Sequence, residues 1–463
     1  MSRLIKLWLL RTILTAMEKP ASVLHRSYFK NNNPPLIAHN MNSKTISIVG
    51  LGYIGLPTAA IFASKKIKVI GVDINQETVD IINRGQIHIL EPGLDIVVQS
   101  AVSAGYLRAS TKPETADVFL VAVPTPFKGE HEPDLAYIEA ASRSIAPVLK
   151  KGDLIILEST SPVGATEKMA EWMAEIRTDL TFPQNYGEES DIRVAHCPER
   201  VLPGQVLREL VQNDRVIGGM TPKCSAAAAA LYKIFVKGDC VITNARTAEM
   251  CKLTENSFRD VNIAFANELS IICDRLKIDV WELIRLANRH PRVDILQPGP
   301  GVGGHCIAVD PWFIVSQAPE QARLIRMARE VNDGKQEWVI KKVKEAVGEL
   351  LAAEPAKTKR NITIACFGLA FKPDIDDLRE SPALSITRQL AREFSNQVWA
   401  VEPHIHELPQ CDQECFILKE TDEAFENADI LLLLVDHKAF KAVMPPDRRS
   451  QYVIDTRGVW TSR

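Results

Sequence analysis

From Thr45 onward, short runs of β-branched and aliphatic residues alternate with stretches whose apolar positions recur every three or four residues. The runs predict strands at Thr45–Val49, Lys68–Val72, Val118–Val123 and Leu154–Leu157, because short apolar segments bounded by turn signals suit strands buried on both faces. Helix-period stretches lie between most of them, the rhythm of a doubly wound parallel sheet. From about Ala226 to Lys342 the strand signals fade, and long helix-period stretches appear at Ala245–Arg275 and Pro319–Val347. Strand patterns return at Ile362–Phe367, Val398–Val401, Ile430–Val435 and Tyr452–Ile454, with a helix at Ala383–Phe394. The expected fold is α/β: two Rossmann-like doubly wound domains, 41–225 and 346–463, joined by a central helical domain at 226–345.

Composition narrows the function classes. The chain has 463 residues, 46% hydrophobic and 24% charged, which excludes a disordered or fibrous protein. Its 55 basic residues nearly balance 58 acidic ones, so the basic excess of a nucleic-acid binder is missing. No run approaches the ~18 apolar residues of a membrane span, and neither a nucleic acid nor a membrane is expected as partner. Nine cysteines, an odd number, suit free thiols in a reducing, cytoplasmic setting better than a disulfide framework. Residues 1–40 read differently. Met1–Met17 is apolar but broken by Arg3, Lys6 and Arg11, and Asn31–Pro35 is turn-rich. The favoured reading is a disordered or non-native extension, with Met41 as the functional start; a membrane-surface helix is the lesser alternative.

Gly50-Leu51-Gly52-Tyr53-Ile54-Gly55 follows the first strand and opens a helix. In that position the first glycine makes the tight turn, the second lets backbone approach a pyrophosphate, and the third lets helix and strand pack closely. The phosphates then meet free N–H groups at the helix N-terminus. The second strand ends in Asp73, eighteen residues past Gly55, where a carboxylate binds ribose hydroxyls and repels a 2′-phosphate. NAD is therefore expected rather than NADP. Val123–Pro126 and Glu158–Pro162 close two further strands on the same edge, making Thr125, Thr160 and Thr166 candidate cofactor neighbours, although each can equally cap a helix.

Cys306 follows the glycine-rich run Pro298–Gly304, which a substrate can approach closely. Most other cysteines lie in apolar or helical stretches and read as inert. His305 is discounted as activating base because adjacent side chains diverge. No metal is expected, since no second Cys or His stands at ligand spacing, and Cys411/Cys415 reads as coincidence. Lys252, Asn256 and Arg259 share one helix face. A solvated polar stripe is the bland reading; an amine and an amide donating to a developing oxyanion is the functional one.

Taken together, these features resemble the UDP-glucose/GDP-mannose dehydrogenase family, the nucleotide-sugar 6-dehydrogenases. The resemblance covers Ser43 to the C-terminus through Gly50–Gly55, Val123–Pro126, Glu158–Pro162, Pro198–Arg200, Lys252–Asn256, Gly303–Asp310 and Phe371–Pro382. Pro198–Gly204, with Pro203 in place of a second Glu, and Val302–Phe313, with His305 before the cysteine, look most like the bacterial branch acting on UDP-N-acetyl-D-mannosamine. The resemblance implies a four-electron, NAD-dependent oxidation at the sugar C6 through a Cys306 thioester, feeding polysaccharide synthesis. It implies oxyanion stabilisation by Lys252 and Asn256, with Lys252 also able to take part in proton transfer; Asp310 would orient Lys252 or the hydrolytic water, and Glu199 is the other candidate acid/base. It implies cofactor contacts from Gly50, Gly52, Tyr53, Ile54, Gly55, Asp73, Thr125, Thr160, Thr166 and Arg379. Substrate contacts fall to Arg200, Val201, Lys252, Asn256, Arg259, His290, Arg292, Gly303 and Lys372. The UDP-sugar would lie against the third domain, and a homodimer would form on the central helices, with the loop of His290 and Arg292 reaching the partner. Glu402 stands where relatives often show Asp before Pro403. The rival expectations are a sister enzyme acting on UDP-glucose or UDP-N-acetylglucosamine, a two-electron hydroxyacid dehydrogenase, and a non-catalytic NAD-binding protein. Cys306 argues against the second, which has no need of a thiol.

A chain beginning at Met41 should keep the activity and melting temperature of the full chain, measured side by side, because the sheet pattern starts only at Thr45. Loss of soluble protein on truncation would assign the extension a structural role.

Overall fold

The computed structural model describes residues 44–460 apart from 130, 203, 305, 395, 396, 406 and 447–450. The expectations for residues 1–40, Met41, Pro203 and His305 lie outside the described residues. The first domain carries β1 (Thr45–Val49), β2 (Lys68–Val72), β3 (Leu107–Ser110), β4 (Val118–Val121), a small hairpin of β5 (Phe127–Lys128) and β6 (Glu132–Pro133), β7 (Leu154–Leu157), β8 (Arg193–His196), β9 (Arg215–Gly219) and β10 (Cys240–Asn244). Eight of these form one sheet in the order β10-β9-β8-β7-β4-β1-β2-β3. All of its pairings are parallel except β8 with β9. β4 and β7 are buried along their whole length, which is why they read as continuous apolar runs. Phe119, Ile155, Met169 and Met173 fill the core beside them.

One strand stands in the region expected to be helical. β10 lies beyond residue 225 and pairs in parallel with β9, so the first sheet runs on to Asn244. It is an edge strand with Val241 and Ile242 half exposed, and such a strand does not announce itself as a buried apolar run. The helix α1 (Gly55–Ser64) follows β1. The helical centre begins with α2 (Ala245–Leu276), capped by the Asn244 side chain accepting the Thr247 N–H at 2.9 Å. It continues through α3 (Val280–Ala287), α4 (Asp310–Gln317) and α5 (Arg323–Ala353).

The 31 residues of α5 span about 46 Å. Its first half lies along α2, while Val339, Val343, Val347 and Leu350 enter the core of the third domain with Ile364 and Ile386. The expected boundary at 345 thus falls inside one continuous helix, because the apolar period never breaks there.

The third domain has five parallel strands, β11 (Ile364–Phe367), β12 (Val398–Val401), β13 (Ile417–Leu418), β14 (Ile430–Leu433) and β15 (Tyr452–Asp455), ordered β13-β12-β11-β14-β15. The helix α6 (Pro382–Glu393) packs on them. Its opening repeats that of the first domain. Gly50 N–H bonds Val72 O and Gly368 N–H bonds Val401 O, both at 2.8 Å, and both glycines have φ of 94°. Leu51 N–H donates to Asp73 at 3.0 Å, and Leu369 N–H to Glu402 at 2.7 Å. Glu402 is therefore the counterpart of Asp73, but it faces inward. His437 Nδ1 accepts the Asp374 N–H at 2.9 Å, so its Nε2 carries the proton and donates to Glu402 at 3.2 Å. No helix among the described residues is long and apolar enough to cross a membrane.

Candidate active site

The cofactor edge is shaped by the glycines in two ways. A Cβ at Gly50 or Gly55 would run into the backbone of Ala122 or of Gly50, whereas one at Gly52 would meet nothing within 4 Å. The fold itself does not need Gly52 bare; an approaching ligand does. α1 starts without a side-chain cap and without an acid in its first turn, leaving N–H groups for phosphate. Ile54 is its N-cap residue. Asp73 is half buried, and its two oxygens accept the Leu51 and Asn75 N–H groups at 3.0 Å each. The Thr125 hydroxyl donates to the Thr160 carbonyl at 2.5 Å, joining the ends of β4 and β7. These groups fit a dinucleotide. Thr166 is fully buried, with its hydroxyl and N–H both on Glu249 at 2.6 and 2.8 Å, so it anchors a helix end to α2.

Cys306 is exposed, and its carbonyl accepts the Val309 and Asp310 N–H groups at 3.1 and 2.9 Å in the turn that starts α4. Asp310 is buried and accepts the Asn256 amide at 2.5 Å. Burial pushes its carboxyl up to about 7, with the Asn256 bond and the Lys252 charge opposing. Close surroundings and the Asp310 charge raise the Cys306 thiol, while Lys252, Arg379 and Arg259 pull it down. Thiol, amine, amide and a carboxyl poised near neutral pH thus meet at one place. Arg379 links this cluster to the cofactor loop: its guanidinium carbon lies 5.7 Å from the centre of the exposed Tyr53 ring, and Asp377 holds it at 2.6 Å.

The glycine run also has a cause in the packing. A Cβ at Gly303 would lie 2.5 Å from the Glu380 carbonyl, and one at Gly304 would lie 2.8 Å from the Phe371 ring. These glycines let the third domain close onto the loop. Lys372, next to Phe371, is exposed.

Other expected residues are placed less centrally. Glu199 is buried in an ion pair with Arg215 at 2.6 Å, and its second oxygen accepts the Arg200 N–H at 2.7 Å. Arg200 pairs with Glu255 at 2.7 Å, and Val201 is half buried. His290 and Arg292 stand exposed in the turn after α3, where His290 Nδ1 accepts the Arg292 N–H at 3.3 Å.

Several supporting groups escaped the sequence reading. The Tyr232 hydroxyl donates to Glu158 at 2.5 Å, and burial pushes that carboxyl up to about 7, Arg215 opposing. Glu249, Asp260 and Asn267 are buried on α2 on the same face as Asn256; polar residues recurring at helix period on one face were the available signal. All nine cysteines are free, and burial pushes Cys197 and Cys366 up to about 12. Asp374, His404 and His437 approach one another as ligands of a metal would, but both His437 ring nitrogens are already engaged.

Residues 44–236, 246–334 and 365–462 match, in turn, the NAD binding, central and UDP binding domains of the UDP-glucose/GDP-mannose dehydrogenase family. A UDP-N-acetyl-D-mannosamine dehydrogenase of Yersinia pestis is 67% identical over 420 residues, spanning 91% of this chain and 100% of that protein. An NDP-N-acetyl-D-galactosaminuronic acid dehydrogenase of Ralstonia nicotianae is 62% identical over 426 residues, spanning 92% and 98%. A solved UDP-D-ManNAc dehydrogenase of Pyrococcus horikoshii aligns with a TM-score of 0.79 at 39% identity, over 90% of this chain and 96% of that one.

The raised Asp310 carboxyl sets the sign of two pH effects. Its folded value lies above the unfolded one, so its contribution to stability is full below about 4 and is lost as pH rises through about 7. Activity that needs the carboxylate should do the opposite. The pH profile of kcat/KM should rise with unit slope to about 7 and level off, and Asp310→Asn should lose roughly 10²–10⁴-fold together with that limb. An Asp310→Asn profile that keeps the limb would remove Asp310 from the proton transfer.

Proposed function

The chain belongs to the UDP-glucose/GDP-mannose dehydrogenase family, and from that premise we propose that it oxidises UDP-N-acetyl-D-mannosamine at C6 to the uronate, using NAD. The observation that carries the reading is the convergence of Cys306, Asp310, Lys252 and Asn256. The overall balance is one primary alcohol, two NAD⁺ and water giving one carboxylate, two NADH and three protons. Bound NAD supplies the hydride acceptor for both oxidations.

Asp310, as carboxylate, takes the C6 hydroxyl proton while Lys252 and the second N–H of the Asn256 amide stabilise the alkoxide. The Cys306 sulfur then bonds to the aldehyde carbon and its proton passes to the carbonyl oxygen, giving a tetrahedral hemithioacetal. Once Asp310 has returned its proton to solvent, it takes the hemithioacetal hydroxyl proton as the second oxidation leaves a thioester. Water breaks the C–S bond, releasing carboxylate and regenerating the thiol. Protonated Asp310 no longer opposes ionisation of Cys306, so the first proton transfer prepares the second step. Arg200, Val201, Arg259, Gly303 and Lys372 serve substrate binding in this reading, Glu199 is the other acid/base candidate, and Asp73 sets the preference for NAD.

We further infer a homodimer, supported by Phe258, Phe265 and Ile272, exposed at intervals of seven along α2, together with exposed Leu276. In that dimer His290 and Arg292 have a partner subunit to reach. Nine free thiols support a cytoplasmic setting, and the uronate product suits supply of surface polysaccharide.

Two outcomes test the reading. Wild type should form two NADH per sugar consumed. Cys306→Ala and Cys306→Ser should keep NAD and UDP-sugar binding but lose uronate formation by roughly 10³-fold or more. A Cys306→Ala protein that still makes two NADH per sugar would refute the covalent route. In a panel of UDP-sugars, UDP-N-acetylmannosamine should show the highest kcat/KM. A higher value on UDP-N-acetylgalactosamine, UDP-N-acetylglucosamine or UDP-glucose would move the substrate assignment and leave the chemistry intact.

A further inference from the structure

We propose that Asn267 and Asn332 are positioning residues that hold the Cys306 loop for the second oxidation; this rests on the four-electron reading above. Asn267 and Asn332 are fully buried between α2 and α5, as is Asp260, with Arg329 almost so. The Gly299 N–H donates to Asn267 Oδ1 at 2.8 Å. A backbone N–H only donates, so the Asn267 amide must turn its NH₂ toward Asn332, whose Oδ1 accepts at 2.9 Å. The Asn332 NH₂ in turn faces Asp260, donating to Oδ1 at 2.8 Å and to the main-chain carbonyl at 3.1 Å. Arg329 closes the chain on Asp260 Oδ1 at 2.6 Å. Each amide orientation dictates the next, and the chain ends at a buried ion pair.

The placement of its two ends gives the chain a function beyond packing. Gly299 opens the segment that carries Cys306, and Asp310 closes it. Both ends are fastened to α2, one by Asn267 and the other by Asn256. Between them lie Gly301, Gly303 and Gly304, so the segment has little stiffness of its own. With the Asn267 anchor gone, Asp310, Lys252 and Asn256 keep their places and Cys306 keeps its turn onto Asp310, but the glycine-rich side of the loop is no longer held and the thiol loses its fixed direction. Alcohol oxidation, which uses the retained groups, survives better than addition of the thiol to the aldehyde.

The experiment uses Asn267→Ala and Asn332→Ser in the full chain. NADH formed per sugar consumed should fall from two toward one, with the missing fraction recovered as an aldehyde oxime when hydroxylamine is present. KM for NAD and UDP-sugar should stay within about threefold. Without NAD or sugar, alkylation of Cys306 by iodoacetamide should speed up about tenfold, because a loop released from Gly299 lets reagent reach the thiol and relieves the crowding that holds it protonated. Variants that melt earlier yet keep two NADH per sugar and the wild-type alkylation rate would overturn the proposal in favour of a purely structural role. If Asn267→Ala is not recovered folded, Asn267→Ser and Asn332→Ser carry both readouts. A wild type yielding one NADH per sugar would sink the four-electron reading, whereas the alkylation rates test the anchor independently of it.

Discussion

The hydrogen bond from the Asn256 amide to Asp310 joins the long helix of the centre to the loop that bears the thiol, and most of the site follows from it. A carboxyl buried at the start of α4 costs desolvation energy, and a neutral amide offsets only part of that. The result is a group that changes charge near neutral pH instead of one locked as an anion. A lysine in place of the amide would pair with it outright and remove its capacity to exchange protons. The same helix supplies Lys252 one turn earlier, so amine, amide and carboxyl are set by one rigid element instead of three separate loops.

The two α/β domains are fitted around that element. α5 runs from the buried network beside α2 into the core of the third domain without a break. Gly303 and Gly304 allow Phe371, Glu380 and Pro382 to approach the thiol loop closely. Arg379, carried by the third domain, reaches Tyr53 of the dinucleotide loop. The third domain repeats the opening turn of the first, yet its strand-end acid is tied to His437 and the backbone. Burial pushes Glu402 up, but these bonds outweigh it and leave the carboxyl below its usual range. What separates Glu402 from Asp73 is the buried His437, so the two turns share a backbone but not the setting of their acids.

Local pattern carried much of the fold. β1, β2, β7 and β12 fall where their apolar runs placed them, because strands buried on both faces leave a continuous signature. β10 was hidden by its half-exposed edge position, and the third-domain boundary by an α5 that has no stop signal. Within the site, Cys306, Lys252 and Asn256 stood out from motif and spacing and Asp310 from the family resemblance, and the structure places the four together. Arg215, Glu249, Asn267 and His437 were not, since a buried polar side chain is recognisable only from the partner it meets across the fold. The glycines of the thiol loop were noticed for substrate access, and a second constraint, the close approach of the third domain, was not legible because it depends on residues about seventy positions away.

The central claim is that the sugar becomes covalently attached to one sulfur. Acid-quenching the enzyme during turnover with UDP-N-acetylmannosamine and NAD, then mapping its peptides by mass spectrometry, tests this directly. A UDP-sugar acyl adduct on the peptide containing Cys306, released by hydroxylamine, is the predicted result. An adduct on Lys252, or none while uronate is being formed, would contradict the account.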